Sequence, residues 1–224
     1  MSNPQIKNLE RVSAILNSLP DLFVFTGGAT ISLYVDEILR NELRTTKDVD
    51  CVVEIASQSE YHALGERLRA IGLQECQEED APICRWQYQD LLVDIMPCDE
   101  GILGFSNCWY KEAIANKLSY SLPSGRDIWI FPLIYLLASK IEAFLGRGKD
   151  FHFSKDIEDI VTLLDGCEAL EQQFHQAQEN IKTFISDWFR ENRDNLEEAV
   201  VSFLPSSSRD REDLAVELIR RFLQ

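Results

Sequence analysis

The chain has little of what a zinc finger, a disulfide framework or a membrane anchor requires. Its six cysteines, Cys51, Cys76, Cys84, Cys98, Cys108 and Cys167, are scattered without a CxxC pair. Such spacing fits buried, reduced thiols and excludes the common zinc and disulfide patterns. The most apolar stretch, Ile128 to Leu137, is ten residues long, about half the roughly 20 that a membrane-spanning helix needs. No membrane span is therefore expected. The N-terminus lacks a basic start followed by an unbroken apolar run, so no secretory signal is expected and the expected location is cytoplasmic. Cations are scarce: 22 Lys and Arg stand against 38 Asp and Glu, for a formal charge of −16. That balance argues against a broad nucleic-acid-binding surface, although a local basic groove remains compatible with it. Residues 150–224 carry 17 acidic and 8 basic side chains, so the C-terminal third holds more than half of the excess. Such a surface repels nucleic acid or meets a basic partner.

With 224 residues and 45% hydrophobic content, the chain can bury one sizeable core, alone or with a helical appendage. Apolar residues at helical spacing over residues 5–18, stopped at Pro20-Asp21, predict an opening amphipathic helix. Leu22 to Thr26 reads as a buried strand bounded by Gly27-Gly28, and Ala29 to Leu39 as a helix. A second strand is expected over Asp48 to Ile55, and a second helix over Ser59 to Ile71, capped by Ser57 or Ser59. Ile83 to Tyr88 and Leu91 to Met96 flank Gln89-Asp90, a two-residue connection suited to antiparallel strands. After Pro132 the pattern is helical: Pro132 to Leu145, Phe153 to Leu164, a long polar helix from Cys167 towards Asn192, and short helices to the end. Ser206-Ser207-Ser208 marks a local loop. The expected fold class is α+β, a mixed sheet flanked by helices over residues 1–125 and a helical subdomain over residues 126–224.

The chemistry concentrates in three places. Along a strand, residues two apart share a face, so Asp48 and Asp50 of Asp48-Val49-Asp50 present their carboxylates together while Val49 turns to the core. Mg²⁺ takes hard oxygen ligands, often one or two carboxylates plus substrate phosphates. Asp94, inside the apolar run Leu91 to Met96, is costly there unless paired or bound to a cation, which makes it the candidate third ligand. The strand-to-helix turn at Gly27-Gly28 lets backbone amides approach a phosphate, and Thr30 could add a hydroxyl. Two ions about 3.5–4 Å apart, Mg²⁺ or Mn²⁺, would then serve an in-line displacement that releases pyrophosphate. His62, His152 and His175 are dispersed among polar neighbours and read as surface residues, and the four tryptophans as core or packing residues.

Gly27-Gly28, then Arg44-Thr45-Thr46-Lys47-Asp48-Val49-Asp50, then Asp94, resembles the motif set of polymerase-β-like nucleotidyltransferases. The helical half is similar to the AbiEii/AbiGii toxin-type nucleotidyltransferases, in which a lysine-bearing helix precedes a KDxxD segment. Here these are Ala138-Ser139-Lys140-Ile141-Glu142-Ala143 and Lys155-Asp156-Ile157-Glu158-Asp159. The resemblance implies a nucleoside triphosphate bound by the glycine turn, metal and Lys140, joined by Arg147 and Lys149. Asp156 or Asp159 would orient substrate or fix the helix. Gly28 stands where many members carry serine, and the gap from Gly28 to Asp48 is longer than in minimal members. The implied reaction moves a nucleoside monophosphate to an RNA such as tRNA, or to a protein, and an antitoxin partner is implied. Two other readings stay open: a transferase acting on cationic antibiotics of the aminoglycoside or lincosamide type, and an inactive nucleotide- or protein-binding module.

Overall fold

The computed structural model describes residues 3–148, 150–204 and 206–223, without the side chains of Ser206 and Ser207. It divides into two units: residues 1–30 with 45–132, and residues 31–44 with 133–224. The sequence pattern alone puts the boundary near 125 and leaves 31–44 in the first part. Burial accounts for that difference, because Val35 and Leu39 pack onto Gly166 of the second unit.

The first unit is built on a mixed sheet of seven strands in the order β3-β4-β5-β2-β1-β7-β6. These are β1 (Phe23–Thr26), β2 (Asp48–Val53), β3 (Gln74–Glu75), β4 (Arg85–Tyr88), β5 (Leu91–Pro97), β6 (Leu118–Ser121) and β7 (Asp127–Ile130). β2 runs antiparallel to β1 and parallel to β5, while β4 and β5 form the hairpin predicted around Gln89-Asp90. Gln89 adopts φ 56°, the left-handed conformation that such tight turns require. The central strands are valine-rich, and Val24, Val49, Val52, Val53, Val93 and Ile95 are fully buried. Helices α1 (Pro4–Leu16), α4 (Gln58–Ala70), α5 (Glu100–Leu103) and α6 (Tyr110–Ala115) complete this unit. Asn3 caps α1 and Ser57 caps α4, each accepting a hydrogen bond from a first-turn amide.

Helix α2 (Gly27–Tyr34) begins at the glycines and carries the chain from the first unit into the second. The single helix expected over Ala29 to Leu39 is interrupted: Asp36 caps a separate α3 (Glu37–Glu42) by accepting from the Leu39 amide. The rest of the second unit comprises α7 (Leu133–Arg147), α8 (Lys155–Gly166), α9 (Ala169–Gln176), α10 (Glu179–Glu191), α11 (Arg193–Phe203) and α12 (Glu212–Arg221). The long polar helix expected from Cys167 towards Asn192 is two helices, because the backbone turns extended at Ala177 and Gln178. A 3₁₀ segment over Ser206–Arg211 replaces the expected serine loop. Edge-to-face and stacked pairs fill the core, with Phe144 and Phe151 4.8 Å apart and Phe174 and Phe222 4.4 Å apart.

The three histidines lie exposed, and Trp86, Trp109 and Trp188 are buried. Trp129 is the departure, half exposed beneath the Lys117 ammonium. Cys51, Cys84, Cys98 and Cys167 are buried free thiols, whereas Cys108 is exposed. Desolvation pushes the Cys84 and Cys167 thiols up to about 12. Among the described residues no helix is long and apolar enough to cross a membrane.

Gly166 gives a test of the packing in the second unit. A Cβ there would stand 2.8 Å from Val35 Cγ1 and 3.0 Å from Leu39 Cδ1. Overpacking of about 1–3 kcal/mol should outweigh the helix-propensity gain of up to about 1 kcal/mol. Gly166→Ala is expected to lower the urea midpoint, with a net loss of about 1–2 kcal/mol.

Candidate active site

Strand register gathers four polar and charged residues of the first unit into one line. Thr26 on β1 lies opposite Asp50 on β2, Asp50 opposite Asp94 on β5, and Asp94 opposite Arg85 on β4. Residues directly opposite share a face, so these four form a row across the sheet, with Asp48 two residues along the same face of β2. Val49, between the two aspartates, is buried on the other face.

Arg85 is the residue that the sequence reading did not single out. Its Nε donates to Asp94 Oδ1 at 2.7 Å and its Nη2 to Asp94 Oδ2 at 2.7 Å, a two-pronged pair. The same Nη2 donates to Asp48 Oδ2 at 2.9 Å. One guanidinium thus ties two of the three candidate carboxylates together. Hydrogen bonding to Asp94 holds Arg85 above the usual arginine range, so it is charged at any working pH. The signal was present in the sequence: a two-residue turn at Gln89-Asp90 pairs Tyr88 with Leu91, and counting back sets Arg85 against Asp94.

Asp50 meets the glycine turn. Gly27 has φ 75°, and a Cβ placed on it would collide with the Asp50 carboxylate, lying 2.7 Å from its Cγ. Only glycine meets both the backbone and the space requirement at this position. Thr30 is buried, and its hydroxyl donates to the Gly27 carbonyl at 2.8 Å. Its role in this structure is thus to brace the turn. Gly28 follows within the first turn of α2.

The second unit holds a separate charge network. Lys140 on α7 lies 2.5 Å from Asp159 Oδ2 and 3.5 Å from Asp156 Oδ1, both carboxylates being buried on α8. Arg44 pairs with Asp159 at 3.1 Å and with Glu158 at 3.0 Å, and Arg147 reaches Asp156 at 3.1 Å. Asp156 and Asp159 therefore each have two cationic partners. Burial raises the Glu158 carboxyl, against the opposing pull of Arg44. Arg44, quoted in the motif but given no role, turns out to tether α8, and Lys149 lies outside the described residues.

Three carboxylates on one sheet face are hard ligands suited to Mg²⁺ or Mn²⁺. Among the described residues, however, no three His, Cys, Asp or Glu side chains are already gathered as a metal cage. The guanidinium of Arg85 takes the cationic place between Asp48 and Asp94. The donor set is of the hard-oxygen type that a divalent cation takes, and the Arg85 guanidinium is paired with two of its three members.

The family model of the nucleotidyl transferase AbiEii toxin, Type IV TA system, matches residues 12–213. The chain belongs to this family. It is a nucleotidyltransferase of the AbiEii toxin type, and the motif residues fall within the matched range. Among solved structures, it is similar to an antigenic nucleotidyltransferase-like protein from Paracoccidioides brasiliensis, at 16% identity over 93% of this chain and 98% of that one, with a TM-score of 0.53. The antibiotic-resistance factor ANT(2'')-Ia matches at 16% identity over 88% of this chain and 97% of that one, with a TM-score of 0.49. The first of these likenesses supports the nucleotidyltransferase fold. No curated protein matches the chain.

For this AbiEii-family chain, Gly27→Ala should force both the turn and Asp50 to move. The expected outcome is a loss of nucleotidyl transfer of about 100-fold or more, equivalent to roughly 3 kcal/mol. Circular dichroism should show the fold retained.

Proposed function

We propose that the chain moves a nucleoside monophosphate from a nucleoside triphosphate to an acceptor hydroxyl or phosphate, with RNA, tRNA among it, or a protein as the acceptor. The observation that carries this reading is the row Thr26, Asp50, Asp94 and Arg85, with Asp48 beside it on one face. Asp48, Asp50 and Asp94 would hold one or two Mg²⁺ ions, or Mn²⁺ in their place. When bound, the metal supplies activation of the acceptor oxygen and charge stabilisation of the departing pyrophosphate.

The remaining work falls to the chain's own groups. The Gly27-Gly28 turn brings backbone close to phosphate oxygens without a side chain in the way, and α2 begins there. In the second unit, resemblance gives Lys140 the triphosphate and gives Asp156 and Asp159 the task of orienting it. Lys140 is charge-paired in the resting protein, so contact with phosphate would exchange one anionic partner for another. Removing Lys140 would leave two buried carboxylates short of a cation, a change that affects stability as well as binding.

The family description names a toxin of a toxin-antitoxin system, and we extend that to an antitoxin partner for this chain, with the cytoplasm as the place of action. The net charge of −16 favours a second reading, in which the acceptor is a small cationic molecule of the aminoglycoside or lincosamide type.

Incubation with each of the four labelled nucleoside triphosphates, Mg²⁺, total RNA and lysate protein is expected to label RNA or protein, with stoichiometric pyrophosphate. Asp50→Asn and Asp94→Asn should each reduce labelling by about 100-fold or more, roughly 3 kcal/mol of barrier. Labelling of an aminoglycoside in the absence of RNA would replace the first reading by the second. Triphosphate binding with no pyrophosphate from any acceptor would identify a binding module. Full transfer by Asp50→Asn would remove the carboxylates from the chemistry.

A further inference from the structure

The three hydrogen bonds of Arg85 use the same oxygens that a divalent cation would need. Both oxygens of Asp94 accept from the guanidinium, and so does one oxygen of Asp48. The side chain is largely enclosed, 19% exposed, and Asp94 is 10% exposed. This is therefore a desolvated, two-pronged contact, the strong kind of ion pair, and differs from a solvated surface pair of small effect. The hairpin register fixes its position, since Arg85 and Asp94 are directly opposed on β4 and β5. A metal ion bound to Asp94 and Asp48 would place a second positive charge against the guanidinium across the same oxygens, and two cations in one low-dielectric site repel strongly.

We propose that Arg85 is a resident counter-cation of the carboxylate row, which holds Asp94 and Asp48 in the metal-free protein and is displaced from them when a divalent cation binds. The inference rests on the metal reading of Asp48, Asp50 and Asp94 given above. It assigns Arg85 a positioning role: the guanidinium keeps two like charges on one sheet face while the site is empty of metal, and sets a threshold that metal must overcome. The linkage is reciprocal, because whatever Arg85 contributes to the metal-free state is subtracted from the apparent affinity for metal. The device therefore makes occupancy depend on divalent cation supply, and triphosphate carrying its own Mg²⁺ would load the site more readily than the free ion.

The experiment uses the full chain with Mn²⁺ as probe, followed by calorimetry and by the electron paramagnetic resonance signal of free Mn²⁺, without nucleotide. Arg85→Met removes the charge and keeps an apolar side chain of comparable length. Arg85→Lys keeps the charge without the fork, and Asp94→Asn serves as the ligand control. Arg85→Met is expected to bind Mn²⁺ at least about tenfold more tightly than the wild type, which is about 1.4 kcal/mol, with Arg85→Lys between them. Metal-free Arg85→Met should melt at a lower temperature than the wild type and gain more from saturating Mn²⁺. Should Arg85→Met not fold without metal, Arg85→Lys still decides the matter, since its Mn²⁺ affinity must exceed that of the wild type. Wild-type binding left equal or stronger than in both variants would overturn the counter-cation role and make Arg85 a brace that holds Asp94 in a ligand's orientation. Absence of Mn²⁺ binding by the wild type, both Arg85 variants and Asp94→Asn alike would overturn the metal reading and this inference together.

Discussion

Mutual repulsion of like charges on one sheet face is the constraint on which the first unit depends. Asp50 and Asp94 are direct neighbours on adjacent strands, which lie about 4.8 Å apart. Two carboxylates about 5 Å apart repel by roughly 3 kcal/mol at an effective dielectric near 20. That is a sizeable fraction of the roughly 5–15 kcal/mol by which a domain is stable. The fold tolerates it because the strand pairing that brings the two acids together also brings Arg85 opposite Asp94. On the other face of the same strands Val49, Val93 and Ile95 are buried in an apolar layer. The Gly27 turn closes one end of the row by leaving room for Asp50 where any side chain would intrude.

The second unit solves a related problem with more cations. Asp156 and Asp159 are buried within α8, and Lys140, Arg44 and Arg147 surround them. A buried charge pair contributes little net stability, but an uncompensated member is strongly destabilising. The network therefore fixes α7, α8 and the start of the motif segment at Arg44 more than it strengthens the fold. It also holds the Lys140 ammonium largely enclosed beside two carboxylates. The two clusters differ in balance. The first has three acids and one guanidinium, whereas in the second the acids and cations are nearly matched. The carboxylate row on the sheet therefore carries more acids than the one guanidinium that Arg85 supplies to Asp48 and Asp94.

Much of this was legible in the sequence because it depends on period and turn length. Alternation along Asp48-Val49-Asp50, the strand before Gly27-Gly28 and the hairpin around Gln89-Asp90 all stand as expected. What escaped was of two kinds. Some elements had a pattern too short or too mixed to read: the β6–β7 hairpin lies over Leu118–Ser121 and Asp127–Ile130, and the run from Ile128 to Leu137 is divided between β7 and α7 at Pro132. The break in the helix after Tyr34 could have been read from Asp36, a good cap that the continuing apolar period concealed. Arg85 and Arg44 are counter-charges rather than ligands, and their place beside the carboxylates follows from strand register for the one and from helix packing for the other. Membership of the AbiEii family rests on the match over residues 12–213, and the motifs quoted from the sequence fall inside it.

Asp48, Asp50 and Asp94 are proposed to form one divalent cation site for nucleotidyl transfer. Anomalous diffraction from crystals grown with Mn²⁺ and a non-hydrolysable nucleoside triphosphate analogue tests it most directly. One or two manganese peaks bounded by the oxygens of these three aspartates are expected, with Arg85 turned away from Asp94. Manganese bound elsewhere, or none at saturating concentration with Arg85 still paired to Asp94 and Asp48, would contradict it.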